Sequence, residues 1–125
     1  MLVVDDDEAV RKTVVEILKS FGFSESIEAA DGLEAWDNFF CCGDSGIRLI
    51  VSDREMPNWD GLDLLRAVRG RTQEHKISFV LMSGESLSKE EILEADRLGS
   101  FFIGKPFASI AHFQEAIEYA EAMQK

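Results

Sequence analysis

Residues 49–62 read LIVSDREMPNWDGL, and the break in the middle of this stretch decides the fold. Leu49, Ile50 and Val51 form an apolar run with no polar alternation, the pattern of a strand covered on both faces in a parallel sheet. The run stops at Asp53, and Pro57, Asn58 and the pair Asp60-Gly61 behind it are turn formers. In an open parallel sheet the ligand crevice lies at the carboxyl ends of the strands, so position alone puts Asp53 in that crevice.

The flanking sequence supplies the neighbours. Leu2–Val4 is a short strand ending in Asp5, Asp6 and Asp7. Val10, Val14, Ile17, Leu18 and Phe21 then recur at helical spacing, with Asp7 as N-cap and Gly22 as stop. Ile27–Ala29 is a second strand. Asp31 and Glu34 open a helix carrying Leu33, Trp36, Phe39 and Phe40, ended by residues 43–46. After the central strand, Arg48–Ser52, a third helix presents Leu62, Leu65 and Val68 and closes at Gly70. Ile77–Met82 is a nearly unbroken apolar strand ending at Ser83-Gly84-Glu85. Ser88 and Glu91 form a capping box for a fourth helix, with Ile92, Ala95 and Leu98 expected inward and Gly99 after it. Phe101–Ile103 is the last strand, ending at Lys105-Pro106, and a fifth helix from about Ser109 carries Ile110, Phe113, Ile117 and Ala120. Five strands alternating with five helices predict one α/β domain over residues 1–125, an open, parallel, doubly wound sheet. Its carboxyl edge gathers Asp5, Asp6, Asp53, Ser83 and Lys105.

At 125 residues the chain suffices for one core without disulfides or a structural metal. Hydrophobic content of 46% with 30% charged residues is that of a soluble globular domain, and no apolar run approaches a membrane span. The start, MLVVDDDEAV, carries no basic leader, so a cytoplasmic location is expected. A net charge of -11 repels nucleic acid and anionic membrane. Cys41 and Cys42 are adjacent, without C-x-x-C spacing or a His cluster, and read as reduced thiols.

Carboxylates crowded into one crevice repel one another, and an oxygen-rich acidic site invites a hard divalent cation such as Mg2+. Beside it Asp53 can serve as a carboxylate nucleophile that forms an acyl phosphate. Ser83 and Lys105 then offer a hydroxyl donor and a positive charge to phosphoryl oxygens. Taken singly, each has a plainer reading: Asp5, Asp6 and Asp7 as a helix start, Asp53 as a turn residue, Lys105 as a solvated surface lysine. Only their convergence favours chemistry.

These residues resemble a known family. VVDDD at the first strand end, SDREMPNWDGL around Asp53, SGE after the fourth strand and GKPF after the fifth are similar to the four signatures of response-regulator receiver domains of two-component signalling, the chemotaxis-type regulators among them. The resemblance covers the whole chain. It implies a flavodoxin-like sheet with strand order 2-1-3-4-5. It implies also that Asp53 accepts a phosphoryl group from a histidine kinase or histidine phosphotransfer protein, in a signalling domain that catalyses only its own phosphorylation and dephosphorylation. Asp6 and Asp53 are implied as Mg2+ ligands, with the Glu55 backbone carbonyl as a third and Asp5 acting through a bound water. Ser83 falls at the switch hydroxyl, Lys105 at the phosphoryl-binding lysine with a cis bond to Pro106, and Phe102 at the switch aromatic, where a plain core aromatic is an equal reading. The surface of the fourth helix, fifth strand and fifth helix is implied as the face a downstream protein reads.

Two other classes fit parts of the pattern. An aspartyl-phosphate phosphohydrolase also has a nucleophilic Asp at a strand end, but its general acid is a second Asp two residues on, where this chain has Glu55. A flavodoxin-like FMN module needs a phosphate-binding first loop, and Asp5-Asp6-Asp7 repels phosphate.

Glu55 and Glu85 stand two places after Asp53 and Ser83, positions that border the site mouth in the resembled family. Two acids there disfavour small anionic phosphodonors. Glu55→Asn is therefore expected to raise the rate of phosphorylation by acetyl phosphate and to change the dephosphorylation half-life. If both stay at their wild-type values, the side chain has no such role.

Overall fold

The computed structural model describes residues 1–23, 25–39, 47–71, 77–84, 88–104 and 118, with the side chains of Arg71, Phe101 and Gly104 left aside. In chain order its elements are β1 (Leu2–Val4), α1 (Glu8–Ser20), β2 (Ile27–Ala29), α2 (Gly32–Phe39), β3 (Leu49–Asp53), α3 (Gly61–Arg71), β4 (Ser78–Ser83), α4 (Lys89–Arg97) and β5 (Ser100–Gly104). The strands form one parallel sheet in the order β2-β1-β3-β4-β5, as expected for the flavodoxin-like arrangement.

Every residue of β1, β3 and β4 is buried, and alternate side chains enter two separate apolar layers. Val3, Leu49, Val51, Val80 and Met82 pack with Val14, Val15 and Leu18 of α1. On the opposite face Leu2, Val4, Ile50, Phe79 and Leu81 meet Ala35 of α2, Leu62, Leu65 and Val68 of α3 and Ala95 of α4. Polar alternation is impossible when both faces are covered, which is why residues 49–51 are continuously apolar.

Helix ends follow side-chain chemistry. The Asp7 carboxylate accepts from the Ala9 and Val10 amides, at 2.9 and 3.4 Å. Gly22, at φ +97°, closes α1: its amide donates to the Lys19 carbonyl and the Phe23 amide to the Leu18 carbonyl, a Schellman ending. Asp31 accepts from the Glu34 amide at 2.8 Å, and Ser88 with Glu91 forms the full capping box of α4. At α3 the same reciprocity is made by Asp60 and Asp63, each accepting the other's amide, at 2.9 and 3.0 Å.

Some boundaries depart from expectation. β3 and β4 run through Asp53 and Ser83, so both residues end strands instead of opening loops. α3 continues past Gly70 to Arg71, because Gly70 keeps ordinary helical backbone there. Ile92, expected inward on α4, is 50% exposed, while Ala95 is buried and Leu98 packs on the core. Phe40, Cys41, Cys42, residues 43–46 and the expected fifth helix fall outside the described residues, Glu118 apart. None of the described helices is long and apolar enough to cross a membrane.

Gly61 sets how closely α3 can approach the strand end. A Cβ there would stand 2.4 Å from the Asp53 carbonyl oxygen and 2.6 Å from Leu81 Cδ1, whereas one at Gly70 would meet nothing within 4 Å. Gly61→Ala is expected to cost on the order of 2 kcal/mol through overpacking. Gly70→Ala should be neutral or stabilise by up to about 1 kcal/mol through helix propensity. Urea unfolding of the two variants checks the contrast, and equal midpoints would contradict it.

Candidate functional site

Parallel register brings the site together. Val4 pairs with Ser52, so Asp5 lies level with Asp53; Asp53 pairs with Met82 and Ser83 with Gly104, one residue before Lys105. Asp5, Asp53 and Ser83 are 0%, 6% and 2% exposed, while Asp6 is open to solvent. One carboxylate oxygen from each of Asp5, Asp6 and Asp53 lies within 4.8 Å of the others. An all-oxygen set of mutually repelling charges fits a hard divalent cation that retains some of its waters, the chemistry of Mg2+.

Asp5 is fixed on several sides. Its Oδ1 accepts the Asp7 amide at 2.9 Å, its amide donates to the Ala29 carbonyl, and its carbonyl accepts from Arg11 Nη1 at 2.8 Å. Arg11 Nε also donates to Glu28, which Lys12 grips as well, each at 2.9 Å. These two cations, Lys12 foremost, hold the Glu28 carboxyl below its ordinary range.

The β3–α3 loop is built to hold still. The Arg54 amide continues the ladder onto the Met82 carbonyl at 2.7 Å, and the Arg54 carbonyl accepts the Gly61 amide at 3.2 Å. Asn58 takes a left-handed φ of +63° and donates Nδ2 to Asp31 Oδ2 at 2.9 Å. The Gly32 amide donates to the Trp59 carbonyl at 3.0 Å, and the Trp36 and Trp59 rings stand 5.9 Å apart in a tilted contact. The β3–α3 loop is thereby tied to the start of α2.

Glu55 does more than line this loop. The Ser83 hydroxyl donates between both of its carboxylate oxygens, at 2.8 and 2.9 Å. Phe102 lies on β5 opposite Leu81, 38% exposed and outside both apolar layers. Lys105, Pro106 and Glu85 lie outside the described residues.

Sequence reasoning passed over Arg54. Its guanidinium donates Nη1 to Asp60 at 2.9 Å and Nη2 to Glu91 of the α4 capping box. Two further arginines grip α4: Arg66 pairs with both oxygens of Glu94 at 2.7 and 2.6 Å, and Arg69 donates to the Leu98 and Gly99 carbonyls at 2.6 and 3.1 Å. These contacts turn residues 91, 94, 95 and 98 inward and leave Ile92 outside. Nothing in the spacing of Arg54, Arg66 and Arg69 along the sequence points to these partners until the helices are placed.

A family model for the response regulator receiver domain matches residues 1–118. Chemotaxis protein CheY1 of Helicobacter pylori is 32% identical over 108 residues, 86% of this chain and 85% of that protein. The structure of chemotaxis protein CheY4 of Vibrio cholerae superposes with a TM-score of 0.76 at 28% identity, covering 95% of each chain. A CheX–CheY complex from Borrelia burgdorferi that contains BeF3 and Mg2+ gives a TM-score of 0.75 at 26% identity, over 93% of this chain and 84% of that one.

Arg54 pulls the Glu91 carboxyl from an ordinary 4.5 down to about 2, chiefly through their hydrogen bond. A depressed folded value means that the pair stabilises fully above the ordinary value and is lost as pH falls through the folded one. Glu91→Gln keeps the capping acceptor and removes the charge. Its destabilisation relative to wild type, read by urea unfolding, is expected to be full near neutrality and to shrink between about pH 4.5 and about pH 2. A gap that does not narrow on acidification would sink this account.

Proposed function

Because the chain belongs to the response regulator receiver family, a signalling family of CheY type, we propose that Asp53 is its phosphoacceptor and that residues 1–125 act as one receiver domain. The observation that carries this reading is the meeting of Asp5, Asp6 and Asp53 oxygens within 4.8 Å at the end of the central strand, next to the Ser83 hydroxyl on the neighbouring strand.

An Asp53 carboxylate oxygen attacks the phosphorus of a phosphohistidine on a histidine kinase or phosphotransfer protein. The P–O bond forms as the P–N bond breaks, and the imidazole leaves with the electron pair and takes up a proton. Asp5, Asp6, Asp53 and the Glu55 carbonyl are the groups to hold Mg2+, which when bound screens the carboxylates from the phosphoryl oxygens. Ser83 and Lys105 take the transferred oxygens, and Phe102 acts as the switch aromatic, a role that its partial exposure on β5 supports. Glu55, already bonded to Ser83, stands where an incoming anion must displace it, which supports its role against small donors. The chain works in the cytoplasm, turns over no external substrate, and presents the α4, β5 and fifth-helix face to a downstream protein. Its charge of -11 argues against nucleic acid as a direct partner.

Trp59 lies in the loop that follows Asp53 and contacts Trp36, so the fluorescence of this pair reports on the site. Mg2+ and then beryllofluoride, a mimic of the phosphoryl group, are each expected to change it, and Asp53→Asn should abolish the beryllofluoride step. Folded wild-type protein that answers neither ligand would defeat the reading.

A further inference from the structure

Arg54 and Glu55, the two residues after Asp53, hold the two ends of the connection between β4 and α4. Glu55 takes the hydroxyl of Ser83 at its start, and Arg54 takes the carboxylate of Glu91 at its end. The two side chains are also electrostatically linked. Burial alone would lower the Arg54 pKa, but the hydrogen bond to Glu91 and the charges of Asp60, Glu91 and Glu55 more than reverse this and raise it. Of the Arg54 donors, Nη1 and Nη2 are used by Asp60 and Glu91, whereas Nε is buried and has no hydrogen-bond partner among the described residues.

We propose that Glu55 is a two-position carboxylate: it holds the Ser83 hydroxyl while Asp53 is unmodified, and turns to the Arg54 guanidinium when Ser83 is drawn to a phosphoryl group, loosening Arg54 from Glu91 and the first turn of α4. The trigger rests on the phosphoacceptor reading above; the two positions of Glu55 do not.

The sequence of events follows from donor counting. A hydroxyl has one proton to donate, so Ser83 cannot serve Glu55 and a phosphoryl oxygen together. A phosphoryl group adds negative charge and strong acceptors at Asp53 and wins that proton. Glu55, half-buried, is then left without its donor and beside a new anion, and a carboxylate partly withdrawn from water without a partner is costly. The Arg54 Nε–H, one residue away in the chain and itself a buried donor, satisfies both groups. A third carboxylate on one guanidinium then repels the other two. Asp60 and Glu91 are each held additionally by one backbone amide, of Asp63 and of Ser88, but Asp60 precedes a helix that seats Leu62, Leu64, Leu65 and Val68 in the core, whereas Glu91 belongs to a helix with a single buried apolar side chain, Ala95. The weaker attachment yields, and that is the start of α4.

The test is amide hydrogen exchange on the whole chain, read at Glu91 and Ile92, whose amides donate to the side chain and the backbone carbonyl of Ser88. Without any ligand, Ser83→Ala frees Glu55 and is expected to speed exchange there by roughly three- to fivefold, the factor that loss of a partly exposed ion pair carries. Adding Glu55→Gln should restore the wild-type rate, with the amides of α1 unchanged throughout as the control for folding. No acceleration in Ser83→Ala, or acceleration that survives in the double variant, overturns the proposal. Beryllofluoride with Mg2+ should reproduce the acceleration in wild type. In Glu55→Gln it should change Trp59 fluorescence while leaving α4 protected. A wild-type protein that ignores beryllofluoride but shows the ligand-free pattern overturns the phosphoacceptor reading alone and supports the two positions of Glu55.

Discussion

Two carboxylates buried side by side, Asp5 and Asp53, are the constraint around which the other contacts are arranged. Taking a carboxylate out of water is expensive unless hydrogen bonds or opposite charge replace the lost solvation. At Asp5 the Asp7 amide offsets part of this cost while Arg11 fixes the backbone through the Asp5 carbonyl, and the remaining repulsion makes the crevice a place for a divalent cation. The parallel register, which sets Asp5 level with Asp53, imposes this adjacency. A sheet with either strand shifted by one residue would turn a carboxylate to the opposite face and lose the site.

Most of the architecture was legible in the sequence because it is carried by local chemistry. Unbroken apolar runs at residues 49–51 and 79–82 fit strands covered on both faces, and Asp7, Asp31 and Ser88 each cap the helix they precede. The strand ends then handed over Asp5, Asp6, Asp53 and Ser83 without further information. What the sequence withheld depends on long side chains meeting across the fold. Ile92 looked like an inward residue because apolar spacing was the only guide. The pairing of Arg54 with Glu91 and of Arg66 with Glu94 spans 37 and 28 residues, and it outweighs one exposed isoleucine in setting the helix rotation. The bond between Ser83 and Glu55 was hidden for the same reason: neither residue type announces the other.

Arginine has two distinct uses along α4. Arg54 and Arg66 form ion pairs, whereas Arg69 meets backbone carbonyls at Ile77, Leu98 and Gly99, and its burial lowers its pKa. Arg69 thus donates to carbonyls at the α4 end, where the helix itself supplies no donors. Attachment through polar tips leaves α4 with little apolar surface against the sheet, so its position answers to charge more than to packing.

The crowding at Gly61 has a mechanical meaning for the whole domain. With the α3 backbone seated against the Asp53 carbonyl, and the loop beyond tied to α2 through Asn58, Gly32 and Trp59, this wall of the crevice has no room to recoil. On the proposal above, a change at the tip of β3 is therefore taken up at the opposite wall, through the Ser83 hydroxyl and the Arg54 guanidinium, and Gly61 marks the side on which the crevice cannot widen.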